Sequence, residues 1–359
     1  MQPCRIPRSG TNLNGSAAEL GALRVYPTAD GSFSLHSDHF GEAFHNSAGA
    51  LNEARAKFVQ PAELQRFSSG TELKILDVCL GLGYNTAAVL EALPTAGPKL
   101  RWWGLELDHR PLKQALEQAS FQSLWSAPVL ARLEAIRDHS CWKEPNNWQE
   151  PNSQGIQLWG DARSMLQEIP EPVRFDLVLL DAFSPQRCPE LWSEEFLGAL
   201  AQRLAPQGRL LTYSRSAAVR ASLKRAGLSL YSLLPAPGER VGWSSGTMAT
   251  PADAACPPDG PGWRQLSAME WEHLQTRAAV PFRDPQGNAT AEDILERRRL
   301  EQEHCGYEPT NAWQRRWRRG QSVLSPVDSA RLLLAPHACR SRTGRWKRHP
   351  HEEHTPESA

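Results

Sequence analysis

The sequence predicts an α/β protein built on a mostly parallel sheet. Apolar runs of strand length alternate with helical patterns at the spacing of βαβ units. The run "RFDLVLLDAFSP" at 174–185 is apolar along nearly its whole strand, which is typical of a central strand covered on both faces. The stretch "LDVCLGLGYNT" at 76–86 joins a strand to a helix through a glycine turn. Right-handed crossovers then arrange these units as a doubly wound sheet.

The elements follow one another along the chain. Two extended runs in "LRVYPTADGSFSLHS" (23–37) are joined by Asp30-Gly31, a hairpin signal, and the segment after Gly41 turns helical near Ala48. The α/β units that come next are "TELKILDVCLGLGYNTAAVLEAL" (71–93), "KLRWWGLELD" (99–108) with the helix that begins at "PLKQALEQA", and "GIQLWGDARSML" (155–166). After the central strand, a helix–strand–helix–strand pattern occupies 193–234, and "GWSSGTMATP" (242–251) is the last strand.

These patterns divide the chain into five regions. We expect a disordered lead at 1–22, an N-terminal hairpin and lid at 23–60, an α/β core at 61–255 with an insertion at 121–154, a helical basic extension at 256–335 and a disordered tail at 336–359. The stretch 311–349 differs most from the rest, because it holds ten Arg and Lys residues and one acid, Asp328.

Composition limits the classes of function. The chain has 359 residues, with Lys+Arg 40 against Asp+Glu 40, so its net charge neither favours nor excludes a nucleic-acid partner. The seven cysteines form no CxxC pair and no zinc-finger spacing, so we expect reduced thiols and no metal. No apolar run is long enough to span a bilayer, and the N-terminus has no signal-peptide core. We therefore expect a cytoplasmic protein with no membrane partner.

The glycine turn is compatible with three ligands. A P-loop needs GxxxxGK[ST], and this turn has no lysine; a dinucleotide turn needs GxGxxG, and position 86 is Thr86. A site for S-adenosylmethionine needs only an acid that ends the first strand, two glycines, and an acid that ends the second strand and binds the ribose hydroxyls. Asp77, Gly81, Gly83 and Glu106 fit this pattern. The alternative interpretation is a tight βα turn that binds nothing.

A third strand-end acid continues the series. Asp161 in "GDAR" lies just past the next strand, with Ala162 beside it. In a doubly wound sheet the ligand lies along the carboxyl ends of the strands, so this acid is placed to accept from the adenine amino group. Asp161 also opens a helix, and an N-cap is the alternative interpretation. Both roles are compatible.

The stretch "DAFSPQRCPELW" at 181–192 indicates the acceptor. Asp181 follows the buried central strand, Phe183 offers an aromatic face, and Ser184-Pro185 stiffens the turn. A carboxylate attracts an ammonium group and takes its proton, and an aromatic ring favours cations, so an amine acceptor fits. An alkylamine has a pKa of about 10.4, so little of it is neutral at pH 7 and a proton acceptor is needed. The alternative is that Asp181 only forms the turn.

Seven stretches together resemble a known family. They are "GEAFHNSAGALNEA", "LDVCLGLGYNT", "LELD", "GDAR", "LDAFSPQRCPELW", "LLTYSRSAAVRASLKRAG" and "GTMA". In this order they resemble the methyltransferase half of the MnmC family of tRNA 5-methylaminomethyl-2-thiouridine biosynthesis proteins, in particular its free-standing versions, over roughly residues 23–250. The resemblance implies a class I S-adenosylmethionine-dependent methyltransferase fold, Rossmann-like with an antiparallel last strand. It also implies methyl transfer to the aminomethyl group of a modified wobble uridine in tRNA.

The resemblance also assigns residues. The cofactor positions are Asp77, Gly81, Gly83, Glu106, Asp161 and Ala162, with Glu42 and His45 of "GEAFHN" in a lid over the cofactor. The catalytic positions are Asp181, next to the reacting amine, and Phe183 and Pro185, which shape the pocket. Judged by sequence alone, a single histidine such as His45 is more often structural.

Two departures from the family qualify this interpretation. Cys79 occupies a position at which many methyltransferases have a further glycine. No GxGxxG follows a strand after residue 250, so we expect no flavin-dependent half and no removal of a carboxymethyl group. An upstream tRNA-modifying enzyme would then have to supply the aminomethyl substrate.

The basic stretch 311–349 has two interpretations. Its arginines alternate with Trp313, Trp317 and Trp346, and guanidinium groups on phosphates with indoles on unstacked bases suit tRNA. The alternative is a solvated helix face followed by an unstructured tail.

Two other functions are compatible with the fold. A spermidine-synthase-like aminopropyltransferase shares the strand-end acids and an amine substrate, although "DAFSPQRCPELW" lacks the second acid of its "DxxDPxGP"-type loop. A non-catalytic RNA-binding protein of the same fold is the third possibility. The intact acids Asp77, Glu106 and Asp181 argue against it.

Overall fold

The computed structural model describes residues 20–94, 97–144, 152–239, 242 and 244–319. The strands are β1 (Leu23–Pro27), β2 (Phe33–Ser37), β3 (Glu42–Ala43), β4 (Glu72–Val78), β5 (Lys99–Glu106), β6 (Cys141–Glu144), β7 (Ser153–Trp159), β8 (Phe175–Leu180), β9 (Leu204–Thr212), β10 (Leu228–Leu233), β11 (Thr247–Pro251) and β12 (Trp263–Gln265). The predicted tail 336–359 and most of the predicted lead 1–22 lie outside the described residues.

Helices connect these strands. They are α1 (Ala50–Ala54), α2 (Tyr84–Glu91), α3 (Arg110–Leu116), α4 (Ala119–Gln122), α5 (Ala127–His139), α6 (Ala162–Glu168), α7 (Glu194–Gln202), α8 (Ala217–Arg225), α9 (Ala268–His273), α10 (Ala291–His304) and α11 (Thr310–Arg318). A π-helical turn, Arg55–Val59, continues α1, and 3-10 turns lie at Gln60–Ala62, Leu64–Arg66, Pro189–Trp192 and Arg277–Ala279.

The large sheet has the order β12-β10-β11-β9-β8-β4-β5-β7-β6. The five strands from β9 to β7 are parallel to their neighbours, which confirms the predicted α/β class. The prediction of a single antiparallel last strand was incomplete. Besides β11, which pairs antiparallel with both β9 and β10, the edge strands β12 and β6 are antiparallel. Both edges are therefore closed by short strands, which blunts unpaired edges.

The core has two layers, one on each face of the sheet. In β8, Leu177 and Leu179 pack into one cluster with α2 and α5, and Val178 and Leu180 pack into the other with α6, α7 and α8. All four side chains are fully buried. The near-continuous apolar run that predicted a central strand therefore arises because helices cover both faces.

The predicted insertion and the predicted end of the sheet both differ in the structure. Within 121–154, the described residues form α5 and then β6, which pairs with β7 from Cys141↔Ile156 to Glu144↔Ser153. This part of the insertion extends the sheet. The sheet also does not end near residue 250, because β12 pairs with β10 and its Trp263 is buried.

The C-terminal segment packs on the core through a buried ion pair. The guanidinium of Arg220 on α8 lies 3.0 Å from the carboxylate of Glu270 on α9, and both side chains are almost fully buried. The guanidinium also donates to Ser244 Oγ and Thr247 Oγ1 at 2.7 and 2.8 Å. Burial raises the pKa of Glu270, but the Arg220 charge and further hydrogen bonds outweigh burial and lower the pKa to about 2. Breaking such a pair is costly, so the segment is a structural part of the core.

The N-terminal residues form the predicted hairpin. Strands β1 and β2 pair antiparallel around the turn that contains Asp30-Gly31, and β3 pairs with β2. The Asp30 carboxylate accepts from Ser32 N and Asn52 N, both at 3.0 Å, so the turn holds the start of α1. The helix expected near Ala48 begins at Ala50. Residues 40–46, which include β3, lie between β2 and α1 and reach the carboxyl end of the large sheet.

Candidate active site

A cavity of about 750 Å3 opens at the carboxyl ends of β4, β5, β8 and β9. The predicted site residues that line it are Glu42, His45, Gly81, Glu106, Asp161, Ala162, Asp181, Phe183 and Pro185. Two predicted cofactor residues, Asp77 and Gly83, do not line it. Since carboxyl ends of parallel strands meet at one edge, residues far apart in sequence converge here.

The glycine turn brings backbone N–H groups to the cavity. Cys79, Gly81 and Gly83 all have positive φ, at 72°, 53° and 89°, which is rare for a non-glycine residue such as Cys79. A Cβ on Gly81 would also lie 3.3 Å from the Phe44 ring, so this position needs a glycine. Gly83 instead begins α2, and a Cβ there would lie 3.1 Å from Leu112. Gly83 therefore lies at the N-cap of α2 and off the cavity wall, and the close approach of Leu112 gives a packing reason for a glycine here.

Glu106 is held at the cavity wall by backbone donors. One carboxylate oxygen accepts from Gly81 N at 2.8 Å, and the other accepts from Leu107 N at 2.7 Å and Asp108 N at 2.9 Å. Burial raises the pKa of Glu106, although these hydrogen bonds lower it in part. The strand end and the glycine turn therefore form one rigid unit with an acceptor aimed into the cavity, as the ribose assignment requires.

Asp77 lies below the cavity and is fully buried. Its Oδ2 accepts from Thr86 Oγ1 at 2.5 Å, and Thr86 accepts in turn from Trp102 Nε1 at 2.9 Å. Its Oδ1 has no hydrogen-bond partner among the described residues, and burial raises the pKa of Asp77 to about 7. Strand alternation turns this side chain towards α2 and away from the cavity wall, where the sequence interpretation expected a cofactor contact.

Asp161 combines the two predicted positions. It is the N-cap of α6, where its Oδ1 accepts from Arg163 N at 2.9 Å, and it also lines the cavity. The Arg163 guanidinium pairs with the same carboxylate, with Nη2 to Oδ2 at 2.6 Å. Ala162, next to it, is buried and lines the cavity as well. A carboxylate on the cavity wall suits a hydrogen-bond donor such as the adenine amino group.

Asp181 follows β8 and lines the cavity. Its Oδ2 accepts from Asn85 Nδ2 at 2.6 Å. Burial raises the pKa of Asp181 to about 8, with nearby Glu53 and Asp77 raising it further and Lys57 opposing them. A carboxyl group with a pKa near neutrality is suited to exchange a proton with an amine.

Aromatic rings pack together on the cavity wall that Asp181 also lines. The Phe183 ring stacks on Phe40, with centroids 4.3 Å apart, and meets Phe44 edge-on at 4.8 Å. Glu42 accepts from Ser184 N at 2.9 Å and so fastens the N-terminal lid to the loop after β8. The lid and the acceptor loop therefore form one surface, of which Pro185 is a part.

His45 lies deeper in the lid than the family comparison suggests. Its Nδ1 is 3.1 Å from Ser34 Oγ, and its ring packs edge-on against Tyr84 with centroids 5.3 Å apart. Burial lowers the pKa of His45, so the ring is neutral at pH 7. These contacts give it the structural role that the sequence left open, in addition to its place on the cavity wall.

The sequence interpretation missed a buried ion cluster on the cavity wall. Lys57, whose side chain is 3% exposed, lies 3.0 Å from Glu53 and 3.4 Å from Glu239. Glu239 is fixed by Ser245 Oγ at 2.5 Å and Ala236 N at 2.9 Å. The i,i+4 spacing of Glu53 and Lys57 was a signal for half of this cluster. Glu239 lies in a loop far along the chain, and no sequence pattern indicated that it belongs to this cluster.

The cavity wall is strongly acidic. Its carboxyl groups are those of Glu42, Glu53, Glu106, Asp108, Asp161, Asp181, Glu190 and Glu239, whereas its Lys and Arg groups are Lys57 and Arg215. This excess of carboxylates favours cationic ligands and disfavours phosphates inside the cavity. Sulfonium and ammonium groups, which S-adenosylmethionine carries, fit this charge.

The basic helix α11 is partly used for packing. Trp313 is buried and stacks on His273 with centroids 4.6 Å apart, so it has no face for an unstacked base. Trp317 Nε1 donates to Glu272 at 2.8 Å, and Arg316 pairs with Glu272 and Glu308. Arg315, Arg318 and Arg319 are exposed. Trp346 lies outside the described residues.

Metal and membrane features were searched for in the described part of the chain. Among residues 20–94, 97–144, 152–239, 242 and 244–319, no His, Cys, Asp or Glu group is arranged to hold a metal ion. In the same ranges, no helix has the length and apolarity needed to cross a bilayer.

Comparison with known proteins agrees with the fold. Residues 143–244 match a family described as S-adenosyl-L-methionine-dependent methyltransferase. The chain is similar to the MnmC2 structure from Aquifex aeolicus, with 28% identity, a TM-score of 0.62, and coverage of 79% of this chain and 86% of that one. The five-strand parallel core and the acid-lined cavity thus define a class I S-adenosylmethionine-dependent methyltransferase, and S-adenosylmethionine is its cofactor.

Sequence relatives narrow the class further. The tRNA 5-methylaminomethyl-2-thiouridine biosynthesis bifunctional protein MnmC of Methylibium petroleiphilum is 30% identical over 253 residues, which are 67% of this chain and 37% of that protein. An uncharacterised protein of Methanocaldococcus jannaschii is 29% identical over 204 residues, 56% of this chain and 52% of that protein. The chain thus spans about a third to a half of these relatives. It carries an MnmC-like methyltransferase domain.

Proposed function

We propose that the protein transfers a methyl group to the aminomethyl group of a modified wobble uridine in tRNA. The observation that carries the proposal is Asp181, which lines the cavity together with Phe183 and whose pKa burial raises to about 8. The tRNA substrate is supported by the names of the MnmC relatives and by the exposed arginines of α11. We place the reaction in the cytoplasm, downstream of an enzyme that supplies the aminomethyl group.

The cofactor fits the residues that line the cavity. Glu106 is positioned to accept from the ribose hydroxyls and Asp161 from the adenine amino group, while the acidic wall stabilises a cationic ligand. When bound, S-adenosylmethionine supplies an electrophilic methyl group on a sulfonium. The protein supplies position and charge, which are the main contributions to a transfer of this kind.

The acceptor enters as an ammonium ion, because alkylamines have a pKa of about 10.4. Asp181 binds this cation in its ionised form and accepts one proton, which leaves a nitrogen lone pair free to form the new N–C bond. The S–C bond breaks as that bond forms, and the sulfur keeps its electron pair. The product amine remains protonated at pH 7, and the proton that Asp181 accepted leaves to solvent, which restores the carboxylate. Asn85 holds Asp181 Oδ2, so the other oxygen of the carboxylate is the one directed to the amine.

Mass spectrometry of the product tests the proposal. Purified protein is incubated with methyl-labelled S-adenosylmethionine and with tRNA that carries the 5-aminomethyl group, and the nucleosides are then separated. We expect label on the wobble nucleoside at the side-chain nitrogen. Label on a ring carbon or a ribose would reject the assigned acceptor. In a parallel incubation with decarboxylated S-adenosylmethionine, an aminopropyl group on the product would support the alternative transferase.

A further inference from the structure

A chain of ion pairs connects the adenine end of the cavity to the C-terminal segment. Arg163 binds Asp161 through Nε and Nη2, with Nη2 to Oδ2 at 2.6 Å. Its remaining nitrogen, Nη1, donates to Asp284 Oδ2 at 2.7 Å and to Ala289 O at 3.0 Å. One guanidinium is therefore shared between an acid of the cavity wall and an acid that lies 121 residues after Arg163 in the sequence.

The loop that carries Asp284 is itself fixed to the core. Asp284 Oδ1 accepts from Asn288 N at 3.1 Å and Ala289 N at 3.0 Å, and its own N–H donates to Glu195 at 2.8 Å. The carbonyl of Phe282, a buried residue, accepts from Glu194 N at 2.8 Å. Asp284 is 1% exposed. Burial raises its pKa, but the Ala289 N–H and Arg163 outweigh burial and lower it, so it is ionised at pH 7.

Asp161 is the most exposed member of this chain of ion pairs. Its side chain is 39% exposed, whereas that of Arg163 is 15% exposed and that of Asp284 is 1% exposed. An arginine side chain that is held at only one end keeps much of its rotamer freedom. Anchoring Nη1 on a buried carboxylate fixes the plane of the guanidinium, and the plane fixes the direction of the Asp161 oxygens.

We propose that Asp284 is a positioning residue of the cofactor site, which acts through Arg163 to aim Asp161 at the adenine amino group. The C-terminal segment is then required for cofactor selectivity, in addition to any part that it plays in RNA binding. The inference rests on the proposed function only in taking Asp161 as the adenine acceptor.

Selectivity for the base separates positioning from simple loss of structure. The ligands are S-adenosylhomocysteine and S-inosylhomocysteine, which has an oxygen in place of the amino group, each titrated by calorimetry into the full chain. The variants are Asp284→Asn and, if it does not fold, Arg163→Lys, which keeps the charge but loses the planar fork. The control is Arg283→Ala. Arg283 lies in the same loop as Asp284, but it pairs with Glu194 and Glu195 and not with Arg163.

We expect the wild type to prefer the adenine ligand. Both test variants should lose about 10-fold in affinity for S-adenosylhomocysteine, the size of one charge-assisted hydrogen bond, and little for the inosine ligand. The control should keep the wild-type preference. Equal losses for both ligands, or a preference unchanged in Asp284→Asn, would overturn the inference. A wild type that binds both ligands equally would also overturn the inference, but it would not contradict the proposed methyl transfer. A wild type that binds neither ligand would contradict the proposed function itself.

Discussion

The change Asp181→Asn tests the chemistry of the site most directly. The substitution keeps the size of the side chain and an acceptor for Asn85, but it removes the charge and the site of protonation. In the wild type, the productive complex contains an ionised Asp181 and an ammonium substrate, so kcat/KM should rise with pH until Asp181 is ionised. In the variant, the amine has to lose its proton to solvent, so the rise should continue to the pKa of the amine.

The size of the effect follows from two pKa values. Burial raises the pKa of Asp181 to about 8, so about one-tenth of it is ionised at pH 7. An amine with a pKa of about 10.4 is neutral in only about one molecule in a few thousand at the same pH. The ratio predicts a loss of roughly 10²-fold in kcat/KM at pH 7, and the break in the pH profile should move from about 8 to about 10.

The assay measures transfer of labelled methyl to tRNA from pH 6 to 9, with the affinity for S-adenosylhomocysteine determined in parallel. Asp176→Asn is a matched control, because Asp176 belongs to the same strand, accepts from Lys74 N at 2.8 Å and does not line the cavity. We expect unchanged cofactor affinity in both variants and a changed pH profile in Asp181→Asn alone. A profile for Asp181→Asn that overlies the wild type would refute the role of Asp181 as a proton acceptor.

Three further predictions concern the cofactor, stability and RNA. Glu106→Ala should weaken S-adenosylmethionine binding by about 2 kcal/mol in calorimetry, since it removes a charge-assisted contact, and an unchanged Kd would contradict the ribose assignment. Asp77 has a pKa raised from 3.8 to about 7, so the folded state retains a proton that the unfolded chain loses, and stability falls as pH rises through this window. Asp77→Asn should therefore gain up to about 4 kcal/mol relative to the wild type between pH 4 and 8 in urea unfolding, and parallel curves would refute this. Removal of 320–359 should weaken tRNA binding and flatten its salt dependence while sparing the cofactor, and equal gel shifts at two salt concentrations would show that this stretch is not used. The cut is placed after α11 because the buried Trp313 makes a cut at 311 disruptive.

The carboxyl-end acids were predictable because topology alone brings them together. Glu106, Asp161 and Asp181 each follow a strand that the apolar pattern identified, and parallel strands end at one edge of the sheet. Asp77 also lies near the end of a strand, but its side chain does not point towards the cavity. It alternates with Leu76 and Val78, so it faces α2 and finds Thr86 in place of the cavity. The position of an acid at a strand end does not show which face of the sheet its side chain occupies, because successive side chains alternate between the two faces.

Contacts between distant segments could not be read from the sequence. Lys57 meets Glu239, and Arg163 meets Asp284, across separations for which no local pattern exists. The same holds for Arg220 and Glu270, which join the C-terminal segment to the core. The sequence shows that the C-terminal region is rich in charge, and we interpreted this region as a basic extension. In the structure, some of these charged side chains form buried ion pairs.

The neutral net charge of the chain conceals two opposite local charges. The cavity wall carries eight carboxyl groups against Lys57 and Arg215, whereas α11 and the residue after it expose Arg315, Arg318 and Arg319. A polyanion bound to the basic surface would be repelled by the cavity, so only a base with a cationic substituent gains from entering it. In the proposed reaction, this charge favours an aminomethyl base over the unmodified uridines of the same RNA, which carry no positive charge.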